Sequence, residues 1–407
     1  MNKKKIINDP VYGFITIPSD LIYDLISHPY FQRLRYIKQL GMTHLVYPGA
    51  LHTRFHHALG AMHLMGLSLE VLRNKGHFIS AEEEEAATIA LLLHDIGHGP
   101  FSHSLEHTLA RGIQHEDISQ LIMNKLNEEF DGRLDLALSI FKNQYHRAFF
   151  SQLISGQVDL DRMDYLNRDS FFTGVSEGVI SFDRIIKMFN LVNDELVIEE
   201  KGIYSVEKFL IARRLMYWQV YLHKTVIAAE QLLVKILERA KELSSKGHIL
   251  FATPALQHFL QNNVNDENFF NEEIHLNKFT QLDDQDIHAA IKVWADSEDE
   301  ILARMCRMLK ARKLYKVEIT NEEPDQNRVM QLAKNTKNKL GLNEKEVSYF
   351  VFTDTIKNRA YNMSTANTNI LMKTGKLVDI AKASDLSNIQ SLDKTVKKHI
   401  LCYSKEF

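Results

Sequence analysis

Histidine and aspartate stand side by side where an apolar stretch ends, in the segment Leu91-Leu92-Leu93-His94-Asp95. Gly97 and Pro100 follow shortly after, and these residue types are typical of the end of a helix. A buried imidazole beside a buried carboxylate is costly unless both groups have a polar partner. Neutral nitrogen and anionic oxygen together form a ligand set that first-row divalent metals accept. His94 and Asp95 are therefore candidate metal ligands.

An upstream helix could supply a further ligand. Thr53 can cap this helix, and His57 lies on the same face as Ala61 and Leu64. This phase favours His57 over its neighbour His56, because the face with Ala61 and Leu64 points inward.

A downstream helix has one polar face where a core face should be apolar. Asp161, Tyr165 and Arg168 recur on it at positions i, i+4 and i+7. Asp161 is the candidate carboxylate ligand from this helix. The alternative is that all four candidate ligands are ordinary core residues whose hydrogen bonds are satisfied within the fold.

Composition restricts the class of protein. The chain has 407 residues, 45% hydrophobic and 25% charged, with a formal net charge of -3. It is therefore long enough for one large domain and a smaller one, and its charge balance argues against nucleic acid as a partner. No apolar run approaches the ~20 residues of a membrane span. With only two cysteines and no apolar signal segment near the start, we expect a cytoplasmic protein without a membrane anchor.

The hydrophobic periodicity predicts mainly helices, which must position these side chains. We expect a helix over 31–40, a β-hairpin over 196–204 with its turn at Lys201-Gly202, and a long helix over 206–243. From about residue 314 alternating strand patterns surround one helix near 325–340. We therefore predict a core over 1–245, a helical extension over 246–313 and a small α+β C-terminal domain over 314–407.

Five motifs, in order, resemble the HD-domain metal-dependent phosphohydrolases, and more narrowly their deoxynucleoside triphosphate (dNTP) triphosphohydrolase branch of SAM-and-HD-domain enzymes. The similarity covers roughly residues 6–245, with the motifs at residues 31–41, 46–50, 54–60, 94–103 and 159–169. The resemblance implies an orthogonal helical bundle, with a short β-hairpin and the small α+β C-terminal part added to it. It also implies one divalent ion, of Mn, Fe, Ni, Zn or Mg, held by His57, His94, Asp95 and Asp161.

Further histidines near the pair could act as acids. A protonated imidazole that donates to a departing oxygen lowers the barrier to hydrolysis. Glu106 lies three residues after His103 and could orient it, and His98 and His115 are other candidates. Each of these histidines could equally serve at a helix cap or a turn. The resemblance favours His103 as the leaving-group acid, and it suggests phosphate contacts or supporting roles for His98 and His115.

A bound triphosphate would need cations opposite the carboxylates. The candidates are Arg54, Arg162 and a helical stripe at i, i+4, i+8 and i+11 that comprises Arg213, Tyr217, Tyr221 and Lys224. The alternative for the stripe is a solvated face. The resemblance implies that Arg213 binds phosphate and that Tyr221 stacks on the base. Arg162 stands where the triphosphohydrolase relative has lysine. The planar guanidinium, which can donate two parallel hydrogen bonds, therefore replaces a single ammonium charge.

The resemblance also implies a place for the nucleoside. Gln39 matches a position near the sugar or base, Tyr165 lies beside Asp161, and Asp169 would accept from a sugar hydroxyl. The alternative for Asp169 is a salt bridge to Arg162 or Arg168. Three polar residues of the 31–40 helix match effector-nucleotide positions at subunit contacts, and the alternative is again a solvated face: Gln32, Arg33 and Arg35.

The predicted function is metal-dependent hydrolysis of a nucleotide by activated water, with a dNTP split into deoxynucleoside and triphosphate. One alternative is an HD-type phosphodiesterase or nucleotide phosphatase, which would need fewer cations opposite the metal. The other is a non-catalytic nucleotide sensor. The resemblance further implies a homo-oligomer, dimer or tetramer, and a nucleotide activator besides the substrate.

Overall fold

The computed structural model describes residues 5–101, 108–109, 112–358, 368–386 and 395–405. Helices predominate, which confirms the predicted mainly α fold. None of the described helices combines the length and apolar character that crossing a membrane requires.

The N-terminal segment is a short hairpin followed by short helices. Strands β1 (Ile6–Asp9) and β2 (Gly13–Thr16) pair antiparallel, and α1 (Asp20–Ser27) and α2 (Pro29–Gln32) follow. The helix predicted over 31–40 is wrong in extent, because the chain continues as a 3-10 turn (Arg33–Tyr36) and then extends. Phe31, Leu34 and Ile37 are fully buried, and their spacing of three residues matches the 3-10 period.

A bundle of helices forms the centre of the molecule. The members are α3 (Arg54–Asn74), α4 (Ala81–Leu93), α5 (His115–Glu129), α6 (Asp135–Phe141), α7 (Phe149–Ser155) and α8 (Leu160–Thr173). Helix α3 packs against both α4 and α8. Ser80 and Glu83 form a reciprocal capping box that fixes the start of α4, and every residue from Ala86 to Leu93 is buried.

The hairpin predicted over 196–204 is wrong, because the observed hairpin lies earlier in the chain, over 189–199. Helix α9 (Phe182–Lys187) leads into β3 (Phe189–Val192) and β4 (Glu195–Glu199), which are joined by Asn193 and Asp194 at positive φ. Asn and Asp tolerate this left-handed backbone, as tight hairpin turns require. Lys201-Gly202 instead belongs to a 3-10 turn, where a Cβ on Gly202 would lie 2.6 Å from the Ile198 side chain.

The long helix predicted over 206–243 is interrupted. Helix α10 (Ile203–Met216) passes into a π-helical turn (Tyr217–Tyr221), and α11 (Lys224–Ser245) starts afresh. Leu222 N donates to Tyr217 O at 2.7 Å, and His223 Nδ1 caps the new helix by accepting from Thr225 N. The interruption changes the helical phase, so Lys224 does not continue the stripe of Arg213, Tyr217 and Tyr221.

The remaining chain forms a helical segment and two sheets. The helices are α12 (Pro254–Gln261), α13 (Asp266–Phe269), α14 (Glu273–Phe279), α15 (Asp284–Trp294) and α16 (Glu300–Lys310). The C-terminal elements are β5 (Lys316–Thr320), α17 (Gln326–Leu340), α18 (Glu344–Val347), β6 (Val351–Asn358), β7 (Asn369–Leu371), β8 (Leu377–Asp379), α19 (Ile380–Ala383) and β9 (Val396–Tyr403).

The C-terminal strands divide between two sheets. Strands β5, β9 and β6 form an antiparallel sheet in that order. Strand β7 pairs in parallel with β4 and antiparallel with β8, so the four-stranded sheet β3-β4-β7-β8 joins the C-terminal part to the core. The division of the chain at residues 246 and 314 stays a proposal.

Candidate functional site

A cavity of about 550 Å³ opens between α3, the end of α4, α8 and the π-helical turn. Twelve of the predicted site residues line it: Gln39, Arg54, Asp95, His98, His115, Asp161, Arg162, Tyr165, Asp169, Arg213, Tyr217 and Tyr221. His57 and His94 lie behind its wall in contact with Asp161, whereas Lys224 is exposed outside it. His103 and Glu106 lie outside the described residues.

The four predicted metal ligands come together from three helices. His57 Nε2 lies 3.1 Å from Asp161 Oδ1 and 3.8 Å from Asp95 Oδ2. His94 Nε2 lies 3.4 Å from Asp161 Oδ1 and 3.4 Å from Asp95 Oδ1. His57, His94 and Asp161 thus turn donor atoms toward a common centre, and Asp95 borders it by contacting His57 with one oxygen and His94 with the other. A cluster of two imidazoles and two carboxylates suits a divalent transition metal.

Hydrogen bonds on the far side of each imidazole orient the cluster. His57 Nδ1 lies 2.7 Å from Asp164 Oδ2, and His94 Nδ1 lies 2.6 Å from Leu91 O. Both acceptors require a protonated Nδ1, which leaves Nε2 directed at the centre. Both Nε2 atoms are buried and have no aligned hydrogen-bond partner among the described residues. These orphaned atoms fit the metal that the ligand set implies.

A buried chain of charges stands behind His57. Arg168 donates to both oxygens of Asp164 at 2.9 Å and to Asp9 Oδ2 at 2.7 Å. Gly60 makes room for this contact, because a Cβ there would lie 1.9 Å from Asp164 Oδ1. Arg168 thus supports Asp164 and does not pair with Asp169. The sequence interpretation missed the roles of Asp9 and Asp164.

The charges of the cluster attract a cation. Burial alone would lower the pKa of His57, but the carboxylates of Asp161 and Asp164 outweigh it and raise the pKa to about 10. Burial would raise the pKa of Asp161, but the imidazoles of His57 and His94 hold it far below its ordinary value. The carboxylates therefore favour a positive charge at His57 Nε2. In the free protein this charge is a proton, and a metal ion would have to displace it to bind there.

His98 and His115 lie next to the cluster. His98 Nε2 is 3.3 Å from Asp95 Oδ1, and the two imidazole rings stack with centroids 3.8 Å apart. Burial, together with the nearby Arg54 guanidinium, lowers the pKa of His98 to about 3. His98 is therefore neutral at pH 7 and can make hydrogen bonds without carrying charge.

The loop between Asp95 and His98 is clamped from two sides. Arg33 donates from Nη1 to Ile96 O at 2.9 Å and from Nη2 to His98 O at 2.8 Å. On the other side Ser119 Oγ accepts from Gly97 N at 2.9 Å. Arg33 is buried, so the interpretation of this residue as part of an outer polar face is wrong. The sequence carried no signal for this contact, because it joins residues 63 and 65 positions apart.

The arginines of the cavity differ in their partners. Arg54 donates to Asp95 Oδ2 at 2.6 Å, and Arg162 pairs with Asp159. Arg213 is 8% exposed, and its Nε and Nη1 atoms have no hydrogen-bond partner among the described residues. A buried guanidinium with unused donors is suited to bind an anion such as phosphate.

Asp169, two helical turns beyond Asp161 on α8, is the centre of a second group of polar side chains. Asp169 Oδ1 is 2.7 Å from His52 Nε2, and its Oδ2 accepts from the Tyr221 hydroxyl at 2.7 Å. Burial and the Asp169 carboxylate raise the pKa of Tyr221 well above its ordinary value, so this hydroxyl stays protonated. Gln39 also lines the cavity, and its Oε1 is buried without a partner among the described residues.

Comparisons with known proteins show which family the chain resembles. The HD domain family matches residues 54–169, and the HD associated region matches residues 180–250. The uncharacterized protein YwfO of Bacillus subtilis is 32% identical, with 100% of this chain and 93% of YwfO covered. A crystal structure of a phosphohydrolase from Bacteroides thetaiotaomicron is 51% identical, with a TM-score of 0.96 and 99% and 100% of the two chains covered.

Named enzymes are among the partial matches. The deoxynucleoside triphosphate triphosphohydrolase SAMHD1 of Homo sapiens is 30% identical over 54% of this chain and 42% of its own length. Its homolog in Dictyostelium discoideum is 34% identical over 54% of this chain and 46% of that protein. The predicted family is confirmed: the chain belongs to the HD-domain superfamily of phosphohydrolases, in the branch that includes the dNTP triphosphohydrolases.

Proposed function

We propose that this hydrolase acts on nucleotides and that it cleaves a dNTP into a deoxynucleoside and inorganic triphosphate. The observation that carries the proposal is one cavity of about 550 Å³ that is lined by Asp95 and Asp161 of the ligand cluster and by Arg213. Arg213 is buried, and its Nε and Nη1 have no hydrogen-bond partner in the described part of the chain. A volume of this size suits a small-molecule substrate. An anion with several charges could reach from the ligand cluster to the arginine.

The ligand cluster supports a role for one divalent ion. His57, His94, Asp95 and Asp161 would hold it, and the two carboxylates would nearly neutralise its charge. When bound, such an ion would polarise a phosphoryl group and activate water for attack on phosphorus. Sites of this composition accept Mn, Fe, Ni, Zn or Mg according to supply.

The arginines would then have separate tasks. Arg54 and Arg162 already pair with Asp95 and Asp159, so they orient carboxylates and add positive charge beside them. Arg213 would contact a phosphate oxygen directly, since a phosphate satisfies donors that the protein leaves unused.

The leaving group requires a proton, and the histidines are its candidate sources. His98 is neutral at pH 7 because its pKa is lowered to about 3, so we assign it a hydrogen bond to a phosphate oxygen. His115 stacks on His98 and would support it. We keep His103 as the leaving-group acid with Glu106 as its partner, on the family resemblance alone.

The named relatives support the dNTP as substrate. SAMHD1 enzymes from human and Dictyostelium discoideum are named deoxynucleoside triphosphate triphosphohydrolases, and each aligns over 54% of this chain. From the family resemblance we also propose a homo-oligomer that a nucleotide activates, and from the presence of only two cysteines we propose a cytoplasmic location. Light scattering with and without nucleotide would test the assembly.

Product analysis tests the proposed function. The metal-reconstituted protein is incubated with a panel of dNTPs and NTPs, and triphosphate, pyrophosphate and phosphate are separated. We expect triphosphate and deoxynucleoside in equal amounts, loss of both with Asp161→Asn, and no change with Lys224→Met at an exposed site. Release of single phosphates alone would contradict the proposal and favour the phosphatase or phosphodiesterase alternative.

A further inference from the structure

His52 lies behind the cavity wall, where it contacts Asp169. We propose that His52 is a positioning residue that fixes the Asp169 carboxylate, so that the enzyme recognises the 3′-hydroxyl of its nucleotide. The inference rests on the proposed function, because the family resemblance already implies that Asp169 accepts from a sugar hydroxyl, and the new element is the residue that holds this carboxylate in place.

The imidazole and Asp169 form a short, fully buried contact. His52 Nε2 lies 2.7 Å from Asp169 Oδ1, and the two side chains are 0% and 2% exposed. The ring of Phe172 stacks on His52 with centroids 4.5 Å apart and planes 16° apart. Since the carboxylate can only accept, His52 Nε2 must donate. The stacking fixes the plane of the ring, and the ring thereby fixes one oxygen of Asp169.

The second oxygen of Asp169 is held from the opposite side. Tyr221 donates to Oδ2 at 2.7 Å, so the carboxylate cannot rotate without losing a hydrogen bond. Each carboxylate oxygen can accept more than one hydrogen bond. Asp169 therefore keeps lone pairs for a ligand in the cavity that it lines.

The backbone of His52 supports the same part of the cavity. Its carbonyl oxygen accepts from Gln39 N at 3.0 Å, and the neighbouring residues Lys38 and Thr53 form an isolated antiparallel bridge. Gln39 carries a buried Oε1 without a partner among the described residues. One residue thus holds Asp169 with its side chain and Gln39 with its backbone.

The distance between Asp161 and Asp169 along α8 leaves room for the sugar of a bound nucleotide. Asp169 lies eight residues beyond Asp161 on this helix, which is a rise of about 12 Å. A phosphate at the ligand cluster and its attached sugar would fill this interval. A 2′-deoxynucleotide offers a single free sugar hydroxyl, the 3′-hydroxyl, so a carboxylate at this distance would accept from that group. A carboxylate held in one orientation discriminates by the geometry of the hydrogen bond.

The test compares dATP with 2′,3′-dideoxy-ATP, which differ only in the 3′-hydroxyl. The wild type should prefer dATP in kcat/KM by at least about 10-fold, because a site built around a hydroxyl rejects the analogue that lacks it. His52→Met and His52→Asn should reduce this preference to nearly one, since neither side chain can hold Asp169. His52→Gln, whose amide nitrogen can replace Nε2, should retain most of it.

A matched variant and the substrate pair separate positioning from a general structural role. His275→Met replaces another buried histidine, 4% exposed and bonded to His258, and should leave the preference unchanged. If His52→Met or His52→Asn lowers kcat/KM equally for both substrates, or if the wild type does not distinguish them, the inference is wrong while triphosphate release still supports the proposed function. If the wild type releases no triphosphate from either substrate, the proposed function fails, and this inference fails with it.

Discussion

The Nδ1 atom of His57 lies 2.7 Å from Oδ2 of Asp164, and both side chains are fully buried. This contact turns His57 Nε2 toward Asp161 and Asp95. Its effect depends on Arg168, which binds Asp164 on one side and Asp9 of the N-terminal hairpin on the other. The proposed metal site is therefore braced by a strand that lies far from it in sequence.

The first prediction concerns Asp164. Asp164→Asn should weaken metal binding by about 10–100-fold, because a histidine ligand loses its anionic partner. Arg168 keeps Asp9, so the variant retains one partner for the buried guanidinium. Competition with a chelator measures the affinity, and Asp183→Asn at an exposed position is the control. An unchanged affinity would show that Asp164 does not orient a metal ligand.

The second prediction concerns Arg33. The Arg33 guanidinium donates to both Ile96 O and His98 O, and the single ammonium group of Arg33→Lys cannot keep both hydrogen bonds in the same geometry. The loop after Asp95 should therefore shift. We expect kcat to fall by about 10–100-fold, the cost of a small misplacement near reacting groups. Arg35→Lys, at an exposed arginine bonded to Gln32, is the matched control. Equal rates for the two variants would contradict the clamp.

The third prediction separates binding from stability at Arg213. Arg213→Met should lower kcat/KM for a nucleoside triphosphate by about 10–100-fold, the worth of one or two charge-assisted hydrogen bonds. Urea denaturation of the free protein should show unchanged or increased stability, since the variant removes buried donors that have no partner among the described residues. A large loss of stability would instead assign Arg213 to the architecture of the fold.

The fourth prediction concerns pH and the contact between α11 and the C-terminal part. Burial would raise the pKa of Glu242, but Lys246, Lys345 and Tyr349 lower it well below its ordinary value. A carboxyl whose folded-state pKa is depressed stabilises the fold above its unfolded-state pKa, and this contribution is lost as pH falls through the folded-state value. Urea denaturation should therefore show stability that falls below about pH 4.5.

Two variants test this prediction, one at the partly buried Glu242 and one at the exposed Glu273. Glu242→Gln should be less stable than the wild type at pH 7 and should depend less on pH in the acid range. Glu273→Gln changes an exposed carboxylate paired with Lys125 and should alter neither property appreciably. Identical acid profiles for wild type and Glu242→Gln would exclude this carboxylate as a source of the pH dependence.

Local patterns in the sequence were sufficient to predict the main parts of the site. His94 and Asp95 end an apolar helix, and Asp161 lies on an unusually polar helix face. Each of these residues can therefore be recognised as a candidate ligand from its own segment alone. The mainly α fold follows from the same periodicity. The structure brings these residues together with His57, while their role as ligands stays a prediction.

Contacts between distant residues could not be predicted in this way. His52 and Asp169 are 117 positions apart, and His57 and Asp164 are 107 positions apart. Nothing within either segment specifies such a pair. The same limit applies to Arg33. Its amphipathic pattern predicts an exposed face, whereas its guanidinium is buried and donates to the carbonyls of Ile96 and His98.

Interruptions of the helical backbone also could not be predicted from the sequence pattern. Periodicity continued through Tyr217–Tyr221, but a π-helical turn and the cap at His223 reset the phase. Lys224 consequently leaves the stripe and lies exposed. Such breaks depend on tertiary contacts, for example the Tyr47 hydroxyl that donates to Gln219 O at 2.7 Å.

Hydrolysis of a dNTP in water labelled with oxygen-18 tests the central claim most directly. If water attacks phosphorus beside the cluster of His57, His94, Asp95 and Asp161, mass spectrometry will find one labelled oxygen in inorganic triphosphate and none in the deoxynucleoside. Label in the deoxynucleoside, or only in single phosphate, would contradict the account.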